Sequence, residues 1–578
     1  MSHRFLLPLA IVGTAGLIAA FTPALAQAAT GGQHTTTHTH AISATASSSA
    51  TSATSATSDA LSSATGVTAG VRTVHAPAGT SHYSRVAARA GAAATDPNPD
   101  LAVAFTDGQI SAFTIIANAS VTGYSTATTG GLSATVAWGD GTSTDYSDIG
   151  TSPTFSHQYT STGVYTITLT VSDGAGDSAK DTWEGMQTEG SEFTAYPPTR
   201  LLDTRKGIGA PAAPIGPKGT LKLQVGNPPI PESYGITAVV LNVTATQSTA
   251  SGYLSVYGNE DTGGAPISLP PTSNINFRTG VNVANLVIAP VGRDGLVDFY
   301  NGSAGKLDVL ADVEGYFSVT EVAKYINIAP TRILDTRKGT GTGVVQQIPA
   351  GGNLTLTVAG AQKGAIPASG ASAVAMNLTT VDAADNGVIT AYPAGESMPA
   401  SSNLNYSAGQ TASNLAIVPL GTNGQVVFHN NGDGPVDLLA DATGYFTTGD
   451  APTGNAYVPL ASPVRALHLI VPSDTPTPYS AGYGSWVTSM VFNATVTDTT
   501  GNGYLSLYPY DPNTPAVLPS TSNLNYLTGQ TVPNLAIVPN GTVPDTSFDP
   551  PMDEIGIYLG GHGSANVLLD MYGFFADQ

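Results

Sequence analysis

The sequence predicts an all-β protein, built as tandem β-sandwich domains after a disordered stalk. Three observations predict this. First, one set of landmarks is written three times in the same order. SNINFRTGVNVANLVIAPVG begins near residue 273, SNLNYSAGQTASNLAIVPLG near 402 and SNLNYLTGQTVPNLAIVPNG near 522. The arginines of an earlier landmark, Arg200, Arg332 and Arg465, stand 132 and 133 residues apart. A fixed period means copies of one folding unit, and a period this long is the size of a domain, not of a solenoid repeat. Second, charged residues are only 10% of the chain, against roughly 25% in an average soluble protein. Thr, Val and Tyr favour strands, whereas helix surfaces are normally built from Glu, Lys, Arg and Ala. Third, apolar and polar residues alternate with period two inside the landmarks, and no 3.6-residue period persists over ten residues within a copy.

In chain order, residues 1–28 read as a secretory signal peptide. Arg4 supplies the positive start, Phe5 to Phe21 the apolar core, and Ala24-Leu25-Ala26 or Ala26-Gln27-Ala28 the cleavage site. The chain is therefore expected to be secreted or loosely held at a cell surface, with no membrane insertion once the leader is removed. Residues 29–96 are rich in Ala, Ser, Thr and Gly and are expected to form a disordered stalk, because they cannot bury enough apolar surface to offset chain entropy. His34, His38 and His40 lie in this stretch. They read as a chance cluster in a polar tail, and metal binding is the alternative.

Residues 97–187 carry a different pattern. Trp138-Gly139-Asp140-Gly141-Thr142 is followed by Phe155-Ser156-His157-Gln158-Tyr159 and by the run Val164–Asp173. That run alternates strictly, with Tyr165, Ile167, Leu169 and Val171 on one face, as a half-buried antiparallel strand does. Gly-Asp-Gly is a tight turn. On these residues the segment resembles the PKD domain, an Ig-like β-sandwich. The family's W-x-F-G-D-G-T and H-x-Y-x-x-x-G-x-Y-x-V signatures fall on Trp138 to Thr142 and on His157 to Tyr165, although Trp138 directly abuts Gly139. The resemblance implies an extracellular spacer or adhesion module and makes His157 a packing and turn residue.

The three modules are expected at residues 193–318, 325–447 and 455–578, each an antiparallel β-sandwich or jelly-roll. In one strand Leu241, Val243 and Ala245 oppose Val240, Asn242, Thr244 and Thr246, and the other copies repeat the face with different apolar sizes. Only two charged positions persist in all three copies: the arginine, and an aspartate near the module end (Asp312, Asp441, Asp570). Opposite charges kept in a charge-poor module predict the salt bridges Arg200–Asp312, Arg332–Asp441 and Arg465–Asp570. The alternative is that they are turn and cap residues that never meet. Asp203 and Asp335 become His468 in the third copy, and Arg205 and Arg337 become Ile470.

Two sets are candidate ligand-binding residues. Asn274 and Asn276, Asn403 and Asn405, and Asn523 and Asn525 alternate with apolar residues and point away from the core. They either bond the backbone of an adjacent loop or form a polar strip that reads sugar hydroxyls. Beside them Tyr253 and Tyr257, Tyr392, and Tyr504 and Tyr508 form an aromatic row that either stacks on sugar rings or packs across strands. The modules resemble a repeat of secreted proteins from actinomycete-type bacteria, which carries RLLDTR, SNLNF-like, NLAIVP-like and D-x-x-G-Y-F marks. That resemblance implies no particular activity, and the third copy departs from it at the DTR segment.

Catalysis is not expected. Asp203-Thr204 and Asp335-Thr336 are followed by Arg205 and Arg337, where aspartic proteases carry glycine. No Ser/His/Asp set recurs, and H-E-x-x-H and phosphate-loop patterns do not occur. There is no cysteine, so disulfides and thiolate chemistry are excluded. No cofactor is implied, and the Asp-rich turn from Asp140 to Asp148 shows no spaced calcium loop. The net charge of −21 argues against nucleic acid and anionic lipid. The sequence thus reads as a secreted, non-enzymatic interaction protein that binds polysaccharide or cell wall through repeated weak sites. The alternative is a structural spacer that binds protein partners.

Overall fold

The computed structural model describes residues 72–75, 82–85 and 100–577. Within that range the stretches 111–113, 125–130, 160–163, 227–234, 261–264, 482–486, 512–517 and 543–552 and residues 175, 189, 293 and 452 are excepted. The signal peptide and the histidines at 34, 38 and 40 lie outside the described residues. Their regular structure is almost entirely strand, with single turns of helix at Ala361–Gly364 and Thr422–Gly424.

The first domain is a sandwich of two antiparallel sheets. β1 (Arg72–His75), β3 (Ala102–Ile110), β4 (Thr114–Thr122) and β7 (Thr154–Gln158) form one. β2 (His82–Arg85), β9 (Asp177–Gln187), β8 (Val164–Ser172), β5 (Leu132–Ala137) and β6 (Ser143–Ile149) form the other. β1 and β2 correct the expectation of an unbroken disordered stalk. Arg72–His75 adds to the edge of β3 and His82–Arg85 to the edge of β9, because an unpaired sheet edge accepts a short extended segment. Ile167, Leu169 and Val171 turn inward onto Trp138 and Phe155, as their alternation requires. The His157 ring stacks on Trp138 at 4.7 Å, and its Nε2 lies 2.8 Å from Asp140 Oδ2. Asp140 in turn accepts the Thr142 N–H. The histidine is a packing and turn residue here.

Each module has an inner and an outer sheet. In the first module the inner sheet runs β15 (Val283–Pro290), β12 (Ile236–Thr246), β17 (Asp308–Ser318), β10 (Glu192–Asp203). The outer sheet runs β11 (Thr220–Gln224), β16 (Leu296–Asn301), β13 (Gly252–Gly258), β14 (Ile275–Phe277). The second module repeats this order. Its inner strands are β23 (Ala412–Pro419), β20 (Ala371–Val381), β25 (Asp437–Asp450) and β18 (Ala323–Asp335), and its outer strands are β19 (Asn353–Thr357), β24 (Gln425–Asn430), β21 (Gly387–Pro393) and β22 (Leu404–Tyr406). The third module repeats it again, with inner strands β31 (Val532–Pro539), β28 (Val487–Thr497), β34 (Ser564–Ala576) and β26 (Ala456–Pro472). Its outer strands are β27 (Thr477–Ser480), β33 (Asp553–Gly561), β29 (Gly503–Pro509) and β30 (Leu524–Tyr526), with β32 (Gly541–Thr542) beside β33. Every module has its own core between the two sheets.

A further core lies among the modules. The outward face of each inner sheet contributes to it: Val240, Leu286 and Ile288 from the first, Ala375, Leu415 and Ile417 from the second, Val491, Leu535 and Ile537 from the third. Phe317, Phe446 and Phe575 form a triangle with centroid separations of 6.0 to 6.4 Å. Each packs on an aromatic ring of a neighbouring module: Phe446 on Phe193 at 4.1 Å, Phe575 on Tyr325 at 4.2 Å and Phe317 on Tyr457 at 4.5 Å. The D-x-x-G-Y-F glycine is needed for this. A Cβ at Gly315 would stand 2.4 Å from the Phe193 ring, and at Gly444 2.3 Å from the Tyr325 ring.

Polar groups close the same ring. The N–H of Leu286 donates to Asn414 Oδ1 at 3.0 Å, that of Leu415 to Asn534 Oδ1 at 3.1 Å and that of Leu535 to Asn285 Oδ1 at 3.1 Å. The amide groups of Asn414, Asn534 and Asn285 then donate to Asn242, Asn377 and Asn493 of the neighbouring modules. Single β-bridges link the modules too: Phe193 with Ala323, Tyr325 with Asn455, and Tyr457 with Ser191. The last module thereby closes on the first, and the three copies form a pseudo-threefold ring.

Replacing Asn414 with leucine strands the Leu286 N–H, the Asn242 side-chain oxygen and the Asn403 carbonyl oxygen in a buried site. Each orphan costs about 1–3 kcal/mol, so denaturant unfolding should show the ring destabilised by about 3 kcal/mol or more. The shift should appear in one transition spanning all three modules. A separate loss of the second module alone would mean that the ring is not a cooperative unit.

Candidate functional site

The repeated arginine and aspartate are cross-strand partners: Arg200 opposite Asp312, Arg332 opposite Asp441 and Arg465 opposite Asp570. Each pair is bidentate. Nε donates to Oδ1, and Nη2 donates to Oδ2 at 3.0, 2.9 and 3.2 Å respectively. The strand register shifts by one residue directly after each arginine. Such a bulge re-aims a side chain, and it lets Leu201 and Leu202 both be buried. Burial pushes the carboxyls of Asp312, Asp441 and Asp570 up, and the arginine hydrogen bonds pull the other way. These pairs also reach across the seams. Arg465 Nη2 donates to the Pro271 carbonyl at 3.3 Å, and the Ser273 N–H donates to Asp570 Oδ2 at 3.3 Å.

In the first two modules a second arginine supports the turn that follows. Arg205 donates to both oxygens of Asp203, and Arg337 to both of Asp335. Hydrogen bonds from Arg205 hold the Asp203 carboxyl down at about 2. Where these residues become His468 and Ile470, β26 instead runs straight on to Pro472 beside β34, leaving His468, Leu469 and Ile470 exposed.

The asparagines require a correction. Asn274, Asn403 and Asn523 do point away from their module cores, but they are buried. Their side-chain oxygens accept the N–H of Val256, Ala391 and Leu507 on the adjacent strand. Asn276 and Asn405 accept hydrogen bonds from Ser273 and Ser402, and Asn525 donates to Ser413 of the second module at 2.8 Å. All six therefore serve loops and seams, and none forms an open strip for sugar hydroxyls. Asn276, Asn405 and Asn525 remain half-buried, whereas Asn403 meets Glu314 of the first module, a contact that one copy of the sequence does not reveal.

The tyrosines divide. Tyr257, Tyr392 and Tyr508 are buried, which corrects their reading as ligand residues. Tyr253 and Tyr504 stay half-exposed on the outer face of the outer sheet. Each lies flat over a glycine of the next strand, since a Cβ at Gly302 or Gly560 would fall 2.3 or 2.1 Å from the ring. Tyr300 stands 6.3 Å from Tyr253 and Tyr558 stands 6.2 Å from Tyr504. Lys218 lies 5.8 Å above the Tyr253 ring. The second module has no such pair. Val388 and His429 take those places, and His429 Nδ1 lies 2.7 Å from Asn353 Oδ1.

Three functional features were missed in the sequence. Asn285, Asn414 and Asn534 recur inside apolar strands of all three copies, and that recurrence is the signal. Glu314 is the lone acid where the other copies carry Thr443 and Tyr572. Leu269, Met398 and Leu518 recur before a proline and are all exposed. Among the described residues no group of three or more His, Cys, Asp or Glu side chains is placed to hold a metal ion.

The family model of the PKD domain matches residues 98–185, so the first sandwich is similar to PKD domains, which are typical of extracellular proteins. No curated protein matches the chain. Two viral structures are similar at 12% identity, covering 67% of this chain and 90% of theirs. One is the Sulfolobus turreted icosahedral virus (TM-score 0.15) and the other an archaeal virus described by its triple jelly-roll fold and turret assembly (TM-score 0.14). Superposition that loose supports no conclusion about this chain.

A double-mutant cycle checks the ion pair. Arg332→Ala should cost about 3–5 kcal/mol, because it leaves the buried Asp441 carboxylate uncompensated, and Asp441→Ala should cost less, because Arg332 is part-exposed and keeps Asp335 3.5 Å away. The double mutant should cost clearly less than their sum in equilibrium unfolding. Additive losses would mean that the two charges stabilise the module independently.

Proposed function

We propose that this chain is an exported, non-catalytic binding protein that attaches to polysaccharide, such as a cell wall, through the outer sheets of its ring. The observation that carries the reading is the pair of half-exposed tyrosines, Tyr253 and Tyr504, each beside a second tyrosine on a flat outer sheet. Aromatic faces stack on the apolar faces of sugar rings, and ordered rings lose little freedom when they do. The ring of modules fixes the two corners relative to each other, so a long polymer meets both at once and weak contacts add as avidity. A PKD-like domain before the ring and a leader-like N-terminus fit export.

A second reading rests on Leu269, Met398 and Leu518. These three exposed apolar residues are repeated around the ring, and repeated apolar patches suit binding to other protein subunits.

The test is retention of the secreted chain on insoluble peptidoglycan, chitin and cellulose. Binding to at least one is expected, with competition by soluble fragments. The double substitution Tyr253→Ala and Tyr504→Ala should reduce it by about tenfold or more, since each ring contact is worth about 0.5–1.5 kcal/mol. Undiminished retention of the double variant would remove the tyrosines from the reading. Retention on none of the three, with concentration-dependent assembly that Met398→Asp abolishes, would favour the second reading.

A further inference from the structure

Glu314 sits where the register between β12 and β17 slips: Val240 pairs with Gly315 and Leu241 with Val313, and Glu314 pairs with neither. Thr443 and Tyr572 occupy the same bulge in β25 and β34. The bulge turns each side chain out of its own ladder. Glu314 is only 2% exposed. Its contacts are in the second module: Asn403 Nδ2 donates to Oε1 at 2.6 Å, and the Ile417 N–H points at Oε2 from 3.4 Å.

Among the described residues no cation pairs with this carboxyl. On its own strand the charged groups are Asp308 and Asp312, and Asp312 is taken up by Arg200. On β10 they are Glu192, Arg200 and Asp203, while β12, β15, β22 and β23 carry none. The tyrosines on these strands, Tyr196, Tyr316 and Tyr406, turn into the module cores. Both partners are donors and favour the carboxylate, but two neutral donors do not compensate a fully buried charge, and burial favours the acid form over them.

We propose that the seam between the first and second modules is an acid-tightened latch, held most firmly while the buried Glu314 is neutral and loosened as the solution becomes alkaline. The other two seams carry Thr443 and Tyr572 in its place and so lack this carboxyl. Burial pushes the Glu314 carboxyl from its ordinary 4.5 up to about 8, with Asp312 adding to the rise and the two hydrogen bonds opposing it. A group whose folded pKa is raised stabilises fully below its unfolded value, and that contribution is lost as the pH rises through the folded value. The window is therefore from about 4.5 to about 8. The inference is independent of what the ring binds.

The experiment compares the wild-type chain with Glu314→Gln and with Glu314→Thr, the latter installing the residue of the second module. Folding equilibrium constants from denaturant unfolding at pH 5 to 9 should diverge by about tenfold per pH unit between about pH 5 and 8 and then run parallel. Hydrogen exchange locates the effect. As the pH rises, the Leu286 and Ile417 amides should open more in wild type than in the variants, while the Leu535 amide at the third–first seam should not differ. Parallel stability curves for wild type and whichever variant folds, or equal opening at both seams, would overturn the proposal.

Discussion

Three nearly uncharged sheets can meet face to face only if every polar group carried in with them finds a partner. Asn285, Asn414 and Asn534 meet that condition. Each side chain accepts a backbone N–H from one module and donates to an asparagine of the same neighbouring module. Because each bond points to the next module in the same rotational sense, the set is complete only when three modules are present. A pair would leave the asparagine amides at its two open ends without their protein partners. The apolar contacts of Phe317, Phe446 and Phe575 supply non-directional attraction, and the asparagines supply the geometry that makes the assembly a closed triangle.

The ring also decides which surfaces remain for function. Inner sheets, arginine–aspartate pairs and the SNLN-type loops are spent on seams. What faces outward is the outer sheet of each module, and only the first and third copies carry a half-exposed tyrosine there. The second copy has diverged at those places, to Val388 and His429. The third has instead lost the arginine-supported turn after its first strand. Copies locked in one ring share its stability, so each can shed features that a free-standing domain would need.

The seams resemble one another in backbone, and one of the places where they differ is a repeated bulge. An acid, a hydroxyl and a phenol occupy it in turn, at Glu314, Thr443 and Tyr572. The phenol of Tyr572 reaches Thr272 of the first module, and the acid reaches Asn403 of the second. Different groups at equivalent seams give each module a preferred neighbour, and at this bulge only the first–second seam carries a carboxyl.

Much was legible in the sequence because it is local. Period-two alternation fixed the strands, the 132- and 133-residue spacing fixed the repeat, and Trp138 to Tyr165 marked the PKD sandwich. The two charges kept in three copies identified Arg200 and Asp312 as residues to pair, since a charge-poor module leaves a retained charge few other uses. What the sequence could not decide is which polar face meets water. Asn242, Asn274 and Tyr257 alternate with apolar residues as solvent-facing positions do, yet all three are buried. Their covering comes from other modules or from other strands of the same sheet, and alternation reports only that a residue leaves its own core. Whether it then meets water or a neighbouring strand or sheet is decided by contacts far apart in sequence, which only the tertiary structure supplies.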